Sequence, residues 1–253
     1  MIYNLANKKI LITREASQAK EFTKLIELSQ GKPILAPLLK INSVNFTMKN
    51  LDDYNWIFFT SANGVECFLS NLENKELLKK CRIAAVGHKT EQALKKYNIE
   101  ADFIPTVYNA LKMSAEFLEK YPNANNLLLV RGNLSRNILP DFFTKHNILF
   151  DKVVVYETVE NKESKELLNY IYSNEKIDYI TFMSPSTIKS FIKLLDDKYH
   201  TIAKQTKVVC IGTTTENLAL KEGFEHVHIP EEFTAESMIE VINKDIERTE
   251  SND

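Results

Sequence analysis

The chain of 253 residues carries 32 Lys and Arg against 34 Asp and Glu, so its net charge is −2. This balance lacks the basic excess typical of nucleic-acid-binding proteins, and the length is enough for one large domain or two of ordinary size. Only six glycines are present, and they form neither the G-x-G-x-x-G dinucleotide motif nor a P-loop.

Ten short apolar runs rich in β-branched residues are predicted as strands. In chain order they cover residues 9–13, 33–38, 56–60, 82–86, 102–104, 126–130, 152–158, 179–183, 207–211 and 226–229. Amphipathic stretches lie between most of them, and the first has an apolar stripe at Phe22, Leu25, Ile26 and Leu28. This alternation predicts an α/β fold in which parallel sheets are covered by helices on both faces.

The three cysteines lie in apolar runs without a C-x-x-C pair, so we expect Cys67, Cys81 and Cys210 to be reduced and buried. The N-terminal residues lack the long apolar stretch of a signal peptide, and no apolar run reaches membrane-spanning length. These features predict a cytoplasmic protein that binds neither membranes nor nucleic acid.

The second half of the chain repeats features of the first. The segment that begins at Val86 aligns without gaps with the segment that begins at Ile211, and the register holds as far as Met113 and Met238. An internal duplication of this kind predicts two similar domains, and a cleft between two domains is the default place for a ligand.

Polar and small residues follow several of the predicted strands, where a parallel sheet presents its ligand-binding edge. The positions are Arg14; Thr60, Ser61 and Ala62; Gly87, His88, Lys89 and Thr90; Arg131, Gly132 and Asn133; Ser184, Pro185 and Ser186; and Gly212, Thr213 and Thr214. Taken singly, such residues serve as ordinary helix caps. Taken together, they would supply many free N–H groups at helix starts, which favours binding of a polyanion bearing carboxylates or phosphates.

Candidates for catalysis are few. His88 is the only histidine at a strand end, and no metal-binding motif or nucleophile elbow is present, so we expect no metal. Tyr156 lies in a predicted strand near the junction of the two halves. It either faces the ligand or packs on a sheet face, and the residues alone leave both open.

Eight short segments carry a resemblance to a known family. They are I-L-I-T-R-E from residue 10, F-T-S-A-N-G-V from 59, A-V-G-H-K-T from 85, R-G-N-L-S-R-N-I-L-P from 131, V-V-Y-E-T-V from 154, F-M-S-P-S-T from 182, C-I-G-T-T-T from 210 and F-T-A-E-S-M from 233. In order and spacing they resemble the uroporphyrinogen-III synthases, over nearly the whole chain.

The resemblance implies two similar flavodoxin-like domains with parallel sheets, joined by a two-stranded antiparallel ladder. The first domain would be discontinuous and comprise residues 1–37 and 160–253. The second would comprise residues 42–154, and the ladder residues 36–41 and 154–159.

The resemblance also implies an activity in tetrapyrrole and haem biosynthesis. A carbon–oxygen lyase would cyclise and dehydrate hydroxymethylbilane, a linear tetrapyrrole with eight carboxylates, to uroporphyrinogen III with inversion of ring D. Tyr156 would be the general acid, the strand-end positions named above and Thr234 would bind substrate, and no cofactor would be needed. The protein would be a monomer in transient contact with the enzyme that makes hydroxymethylbilane.

Two other functions remain open from the residues. A non-catalytic, hinged two-domain binding protein or sensor for a polyanionic small molecule would show the same anion-binding helix starts. An enzyme acting on phosphosugars would share them too, but it would need more glycine in its phosphate loops.

Overall fold

A computed structural model describes residues 3–251, apart from the side chain of Ser17. The strands are β1 Lys9–Ile12, β2 Lys32–Leu35, β3 Leu39–Ser43, β4 Trp56–Phe59, β5 Arg82–Ala85, β6 Leu127–Gly132, β7 Phe150–Glu160, β8 Tyr179–Phe182, β9 Lys207–Cys210 and β10 Val227–His228. The helices are α1 Ala16–Leu28, α2 Ala62–Ser70, α3 His88–Lys95, α4 Ala110–Lys120, α5 Ile138–Lys145, α6 Ser164–Asn174, α7 Pro185–Leu195, α8 Tyr199–Gln205, α9 Thr213–Lys221 and α10 Ala235–Glu250. Three 3-10 turns cover Leu51–Asp53, Lys75–Lys80 and Asp196–Lys198.

The chain divides into two compact units. The first unit comprises Met1–Lys40 and Val159–Asp253, and the second unit comprises Ile41–Thr158. Residues 1, 2, 252 and 253, at the ends of the predicted first domain, lie outside the described residues. The chain passes from one unit to the other at two points, and both lie within strands, β3 and β7. These two strands are neighbours in the second sheet.

Each unit is built on a five-stranded sheet, and the α/β fold predicted from the sequence is confirmed. The first sheet has the order β10-β9-β8-β1-β2, and the second has the order β3-β7-β6-β4-β5. In the first sheet, every pair of neighbouring strands is parallel. In the second sheet, the pairs β7–β6, β6–β4 and β4–β5 are parallel. The strands β1, β8 and β9 therefore have counterparts in β6, β4 and β5, which agrees with the sequence repeat.

The strands are apolar on both faces because helices cover both. In β4, Ile57 and Phe59 pack in one cluster, while Trp56 and Phe58 pack in another on the opposite face. In β1, Leu11 likewise faces away from its two isoleucine neighbours. Side chains alternate between the faces of a strand, so two helical layers require a continuous apolar run.

Several local predictions are corrected by the structure. The predicted strand at residues 102–104 is reduced to one bridge, from Phe103 to Ala84. Leu28, which the sequence placed on the apolar stripe of α1, is 64% exposed. The buried face of α1 is formed by Ala19, Phe22 and Ile26, and Leu28 lies about 200° round the helix from Ile26. Cys67 is half-buried on α2, whereas Cys81 and Cys210 are buried as expected.

A hydrogen-bonded network ties the C-terminal helix to the first sheet. The carboxylate of Asp245 on α10 accepts hydrogen bonds from Tyr179 Oη and Lys207 Nζ, each at 2.6 Å. Burial raises the pKa of the Asp245 carboxyl, but these two hydrogen bonds outweigh it and leave the pKa below its ordinary value. Tyr179 and Lys207 begin strands β8 and β9, so this network lies at the end of the sheet opposite the predicted ligand-binding edge.

Candidate functional site

The carboxyl ends of β4, β5, β6 and β7 meet at one edge of the second sheet, because these strands are parallel. Ser61 follows β4 and caps α2, with its hydroxyl accepting a hydrogen bond from the N–H of Gly64 at 3.0 Å. Gly87 follows β5 and is the N-cap residue of α3, and Arg131 lies at the end of β6. These are the strand ends where the sequence predicted ligand binding.

A β-bulge places Tyr156 at this edge. Arg131 pairs with Val154 in the register of β6 and β7, but Gly132 pairs with Tyr156, so Val155 is an extra residue in β7. Side chains along a strand normally alternate between its faces, and the bulge lets both Val155 and Tyr156 point into the core of the second unit. Tyr156 is 9% exposed as a result.

The hydroxyl of Tyr156 belongs to a short chain of hydrogen bonds. Its Oη lies 3.0 Å from Ser61 Oγ, and that oxygen also accepts from the N–H of Gly64. Ser61 therefore has its own proton available to donate to Tyr156 Oη. In that arrangement the phenolic proton is free to point at a third group.

Gly132 makes room for the Tyr156 ring. A Cβ at position 132 would lie 2.4 Å from two ring carbons of Tyr156 and 2.8 Å from its hydroxyl oxygen. The backbone N–H of Asn133 also donates to the carbonyl of Tyr156 at 3.1 Å. The end of β6 thus fixes both the main chain and the ring of this tyrosine.

A cavity of about 700 Å³ opens beside these residues within the second unit. Its lining includes four of the predicted site residues, Thr60, Ser61, Arg131 and Tyr156. The volume lies within the range of sites that bind small organic molecules. The structure therefore brings the predicted catalytic residue and three predicted binding residues to one cavity.

Other predicted residues of the second unit have side chains engaged elsewhere. Both ring nitrogens of His88 lie 3.1 Å from side chains of its own helix, those of Glu91 and Gln92. Asn133 bonds to the backbone of β7, with its Oδ1 accepting from the N–H of Thr158 at 2.9 Å. Thr90 is buried.

Arg131 braces the loop that follows β6. Its guanidinium donates to the side chain of Asn137 at 3.1 Å and to the carbonyl of Ser135. Part of its hydrogen-bonding capacity is therefore used within the loop.

Two further predicted residues lie at helix starts of the second unit. Ala62 begins α2, and Lys89 is exposed on the first turn of α3.

The first unit has an equivalent row of helix starts. Ser184 caps α7 beside Pro185, with its hydroxyl 2.9 Å from that of Ser186. Gly212 is the N-cap residue of α9, whose first residues Thr213 and Thr214 are exposed. Thr234 caps α10 by accepting from the N–H of Ser237 at 3.1 Å.

Arg14 lies close to this row, at the end of β1. Its Nε and Nη2 atoms donate to the side-chain oxygen of Gln18 in α1 at 3.1 and 2.9 Å. Burial lowers the pKa of the Arg14 guanidinium, and Glu15 and Glu21 partly offset this. Arginine remains charged at neutral pH even so.

Sequence reasoning missed four residues of these edges. Tyr108 lies over Gly87, and Phe233 lies over Gly212 in the equivalent place. Asn109 caps α4 as Thr234 caps α10, and Arg136 lines the cavity. The gapless repeat contained the signal for the first three, since it pairs Tyr108 with Phe233 and Asn109 with Thr234.

Within residues 3–251 the structure contains no cluster of three or more His, Cys, Asp or Glu side chains that could hold a metal ion. None of the helices in that part of the chain is long and apolar enough to cross a membrane.

Comparisons with known proteins agree with the resemblance seen in the sequence. The family model described as uroporphyrinogen-III synthase HemD matches residues 20–240. The chain is 33% identical to a putative uroporphyrinogen-III synthase of Methanocaldococcus jannaschii over 92% of this chain and 97% of that protein. It is 28% identical to a uroporphyrinogen-III synthase of Chlorobaculum parvum over 93% and 98% of the two chains. The fold is similar to the crystal structure of uroporphyrinogen-III synthetase from Helicobacter pylori, with a TM-score of 0.66 and 19% identity over 92% and 97% of the chains.

Proposed function

Because the chain belongs to the uroporphyrinogen-III synthase family, we propose that it closes hydroxymethylbilane to uroporphyrinogen III, with loss of water and inversion of ring D. Membership of the family favours this enzyme activity over a non-catalytic binding protein. The observation that supports it most is the Tyr156 hydroxyl, bonded to Ser61 on the wall of a cavity.

Tyr156 is proposed as the general acid. The pyrrole nitrogen of ring A expels the hydroxyl group of the hydroxymethyl substituent, and the phenol protonates that oxygen so that it leaves as water. Ring D attacks the resulting cation through the α-carbon that already carries the bridge to ring C, which forms a spiro-pyrrolenine. The bond between that α-carbon and the bridge then breaks, the bridge carbon bonds to the free α-carbon of ring D, and the proton lost from this carbon returns to the phenolate. Ser61 would donate a hydrogen bond to this phenolate, which stabilises the charge that develops on it.

The remaining predicted residues are proposed as binding residues for the eight carboxylates. In the second unit the helix starts at Ser61 and Gly87 offer backbone N–H groups, and in the first unit those at Ser184, Gly212 and Thr234 do so. Helix N-termini attract anions through free N–H groups and the helix dipole. We propose the other predicted positions as further substrate contacts, which use the backbone where the side chain is engaged or buried, as at His88, Asn133 and Thr90.

We propose the domain limits implied by the resemblance, 1–37 with 160–253 and 42–154, linked by 36–41 and 154–159. The division into two compact units supports them, because the chain passes between the units within β3 and within β7. We also propose that the enzyme is a cytoplasmic, monomeric carbon–oxygen lyase that meets the enzyme supplying hydroxymethylbilane only transiently.

The deciding experiment adds purified protein to hydroxymethylbilane and measures the isomer formed. Spontaneous closure gives the non-inverted type I product, so an excess of type III demonstrates the activity.

Tyr156→Phe should lower kcat by about 100-fold with little change in KM, because it removes the acid and keeps the ring. Wild-type turnover by this variant would exclude Tyr156 as the acid.

A further inference from the structure

Exposed apolar side chains gather at the cavity of the second unit. Tyr108, Leu111 and Leu134 all line it, and each is more than half exposed. Large apolar side chains that are exposed together commonly mark a binding surface. Their place beside Tyr156 suggests that they meet the substrate.

The base of the Tyr108 side chain is packed, although the residue is 63% exposed. Its Cβ and Cγ atoms would lie 2.8 and 2.9 Å from a Cβ at position 87, so its base rests directly on Gly87. The next residue, Asn109, fixes the chain by capping α4, with its side chain accepting from the N–H of Lys112 at 2.8 Å. An aromatic side chain whose base is packed in this way loses less conformational entropy on binding a ligand than an unrestrained one.

The repeat has kept this arrangement in the first unit. Phe233 lies over Gly212, with its ring atoms 3.1–3.2 Å from a Cβ at that glycine, and it is 60% exposed. Thr234 caps the following helix, as Asn109 does. An exposed aromatic side chain beside two helix starts is therefore a common feature of both units.

The cavity is positively charged. Two arginines, Arg131 and Arg136, line it, and none of its lining residues within the described part of the chain is Asp or Glu. Arg131 is partly engaged by the loop after β6. Arg136 is exposed, and among residues 3–251 it forms neither a hydrogen bond nor an ion pair, so its guanidinium is available to an anion.

We infer that Tyr108 and Arg136 are substrate-positioning residues that hold one pyrrole ring of the bilane in this cavity. The inference rests on the proposed function. A pyrrole ring with acidic side chains has an apolar face and carboxylates a few bonds apart. Tyr108 covers the face by stacking, and Arg136 forms a two-point hydrogen bond with a carboxylate.

Steady-state kinetics with hydroxymethylbilane tests this inference. Arg136→Gln should raise KM by about tenfold or more and change kcat far less, whereas Arg136→Lys, which keeps the charge, should recover part of the affinity. Arg136→Gln should also make kcat/KM less sensitive to added salt. Tyr108→Ala should raise KM by about tenfold, and Tyr108→Phe should stay near wild type.

Two variants serve as matched controls. Lys145→Gln removes an exposed cation from α5, the helix that borders the cavity, and Tyr170→Ala removes an exposed tyrosine from α6 of the first unit. Both should keep wild-type KM. Thermal midpoints of all variants check that they fold, which the exposure of Tyr108 and Arg136 leads us to expect.

The outcomes separate the two proposals. If the wild-type protein gives no excess of type III product, the proposed function is wrong. If it does, and both Arg136→Gln and Tyr108→Ala keep KM within twofold, the positioning role is wrong. A fall in kcat at unchanged KM would also overturn it, because a residue that holds the substrate acts on binding.

Discussion

Replacing Gly132 by alanine tests how closely the reaction depends on the position of the Tyr156 ring. The new Cβ would lie 2.4 Å from two ring carbons, and ordinary contact begins at 3.4 Å, so the ring must move by about 1 Å. This movement would stretch or break the 3.0 Å contact between Tyr156 Oη and Ser61 Oγ. A misplacement of about 1 Å can cost about 100-fold in rate.

We therefore expect Gly132→Ala to lower kcat for type III formation by about 100-fold. Overpacking of a filled site should also lower the free energy of unfolding by about 1–3 kcal/mol. The assay measures initial rates of type III formation below the thermal midpoint of the variant, so that unfolding does not contribute to the loss of rate.

Gly31→Ala is a suitable control, because its Cβ would lie 2.7 Å from Ile26 Cγ2 in the first unit, whereas Tyr156 belongs to the second unit. It should lose stability and keep kcat. The double variant Gly132→Ala/Tyr156→Phe gives the sharper test. If Gly132→Ala acts through the phenolic hydroxyl, it should slow Tyr156→Phe very little. An equal loss of rate in both backgrounds would refute this reasoning.

Three further changes probe other parts of the molecule. Ser61→Ala removes a helix cap and the hydrogen-bond partner of the proposed acid, so it should lower kcat about tenfold and lower the free energy of unfolding by about 1 kcal/mol. Isomer assays and thermal melts would measure these two effects, and an unchanged rate would count against the mechanism. Asp245→Asn should lower the free energy of unfolding by about 2 kcal/mol at pH 7 by weakening the bonds from Tyr179 and Lys207. Because the pKa of Asp245 is lowered in the folded state, this advantage of the wild type is complete above the ordinary aspartate pKa of 3.8 and is lost as the pH falls through the folded pKa; denaturant titrations at several pH values would show it. Tyr172→Phe should raise stability by about 1 kcal/mol in the same titrations, since the buried Tyr172 hydroxyl has no hydrogen-bond partner among the described residues.

The periodicity of the sequence was sufficient to predict the sheets but not the geometry of β7. Its apolar residues predicted a strand at residues 152–158, and the strand extends over Phe150–Glu160. The bulge at Val155 could not be predicted, because alternation places Tyr156 on the opposite face from Val155. The register between β6 and β7 determines the bulge, and the local sequence of β7 does not specify that register.

The candidate site was predicted in part. Helix starts carry a local signal in their Ser, Thr and Gly residues, so Ser61, Ser184 and Gly212 could be found from the sequence. Tyr108 and Arg136 have no such local signal, although the repeat pairs Tyr108 with Phe233. One lies in an irregular segment before its helix and the other in a loop, and both reach the cavity through tertiary packing.

The discontinuous first unit has a consequence for synthesis of the protein. The second unit is continuous in sequence, so the part that carries Tyr156 is complete when residue 158 has left the ribosome. Strand β1 must wait for β8, as the bond from Thr13 to Thr181 spans 168 residues. At about 5–20 residues per second this delay is about 10–30 s, during which the apolar N-terminal segment needs protection from aggregation.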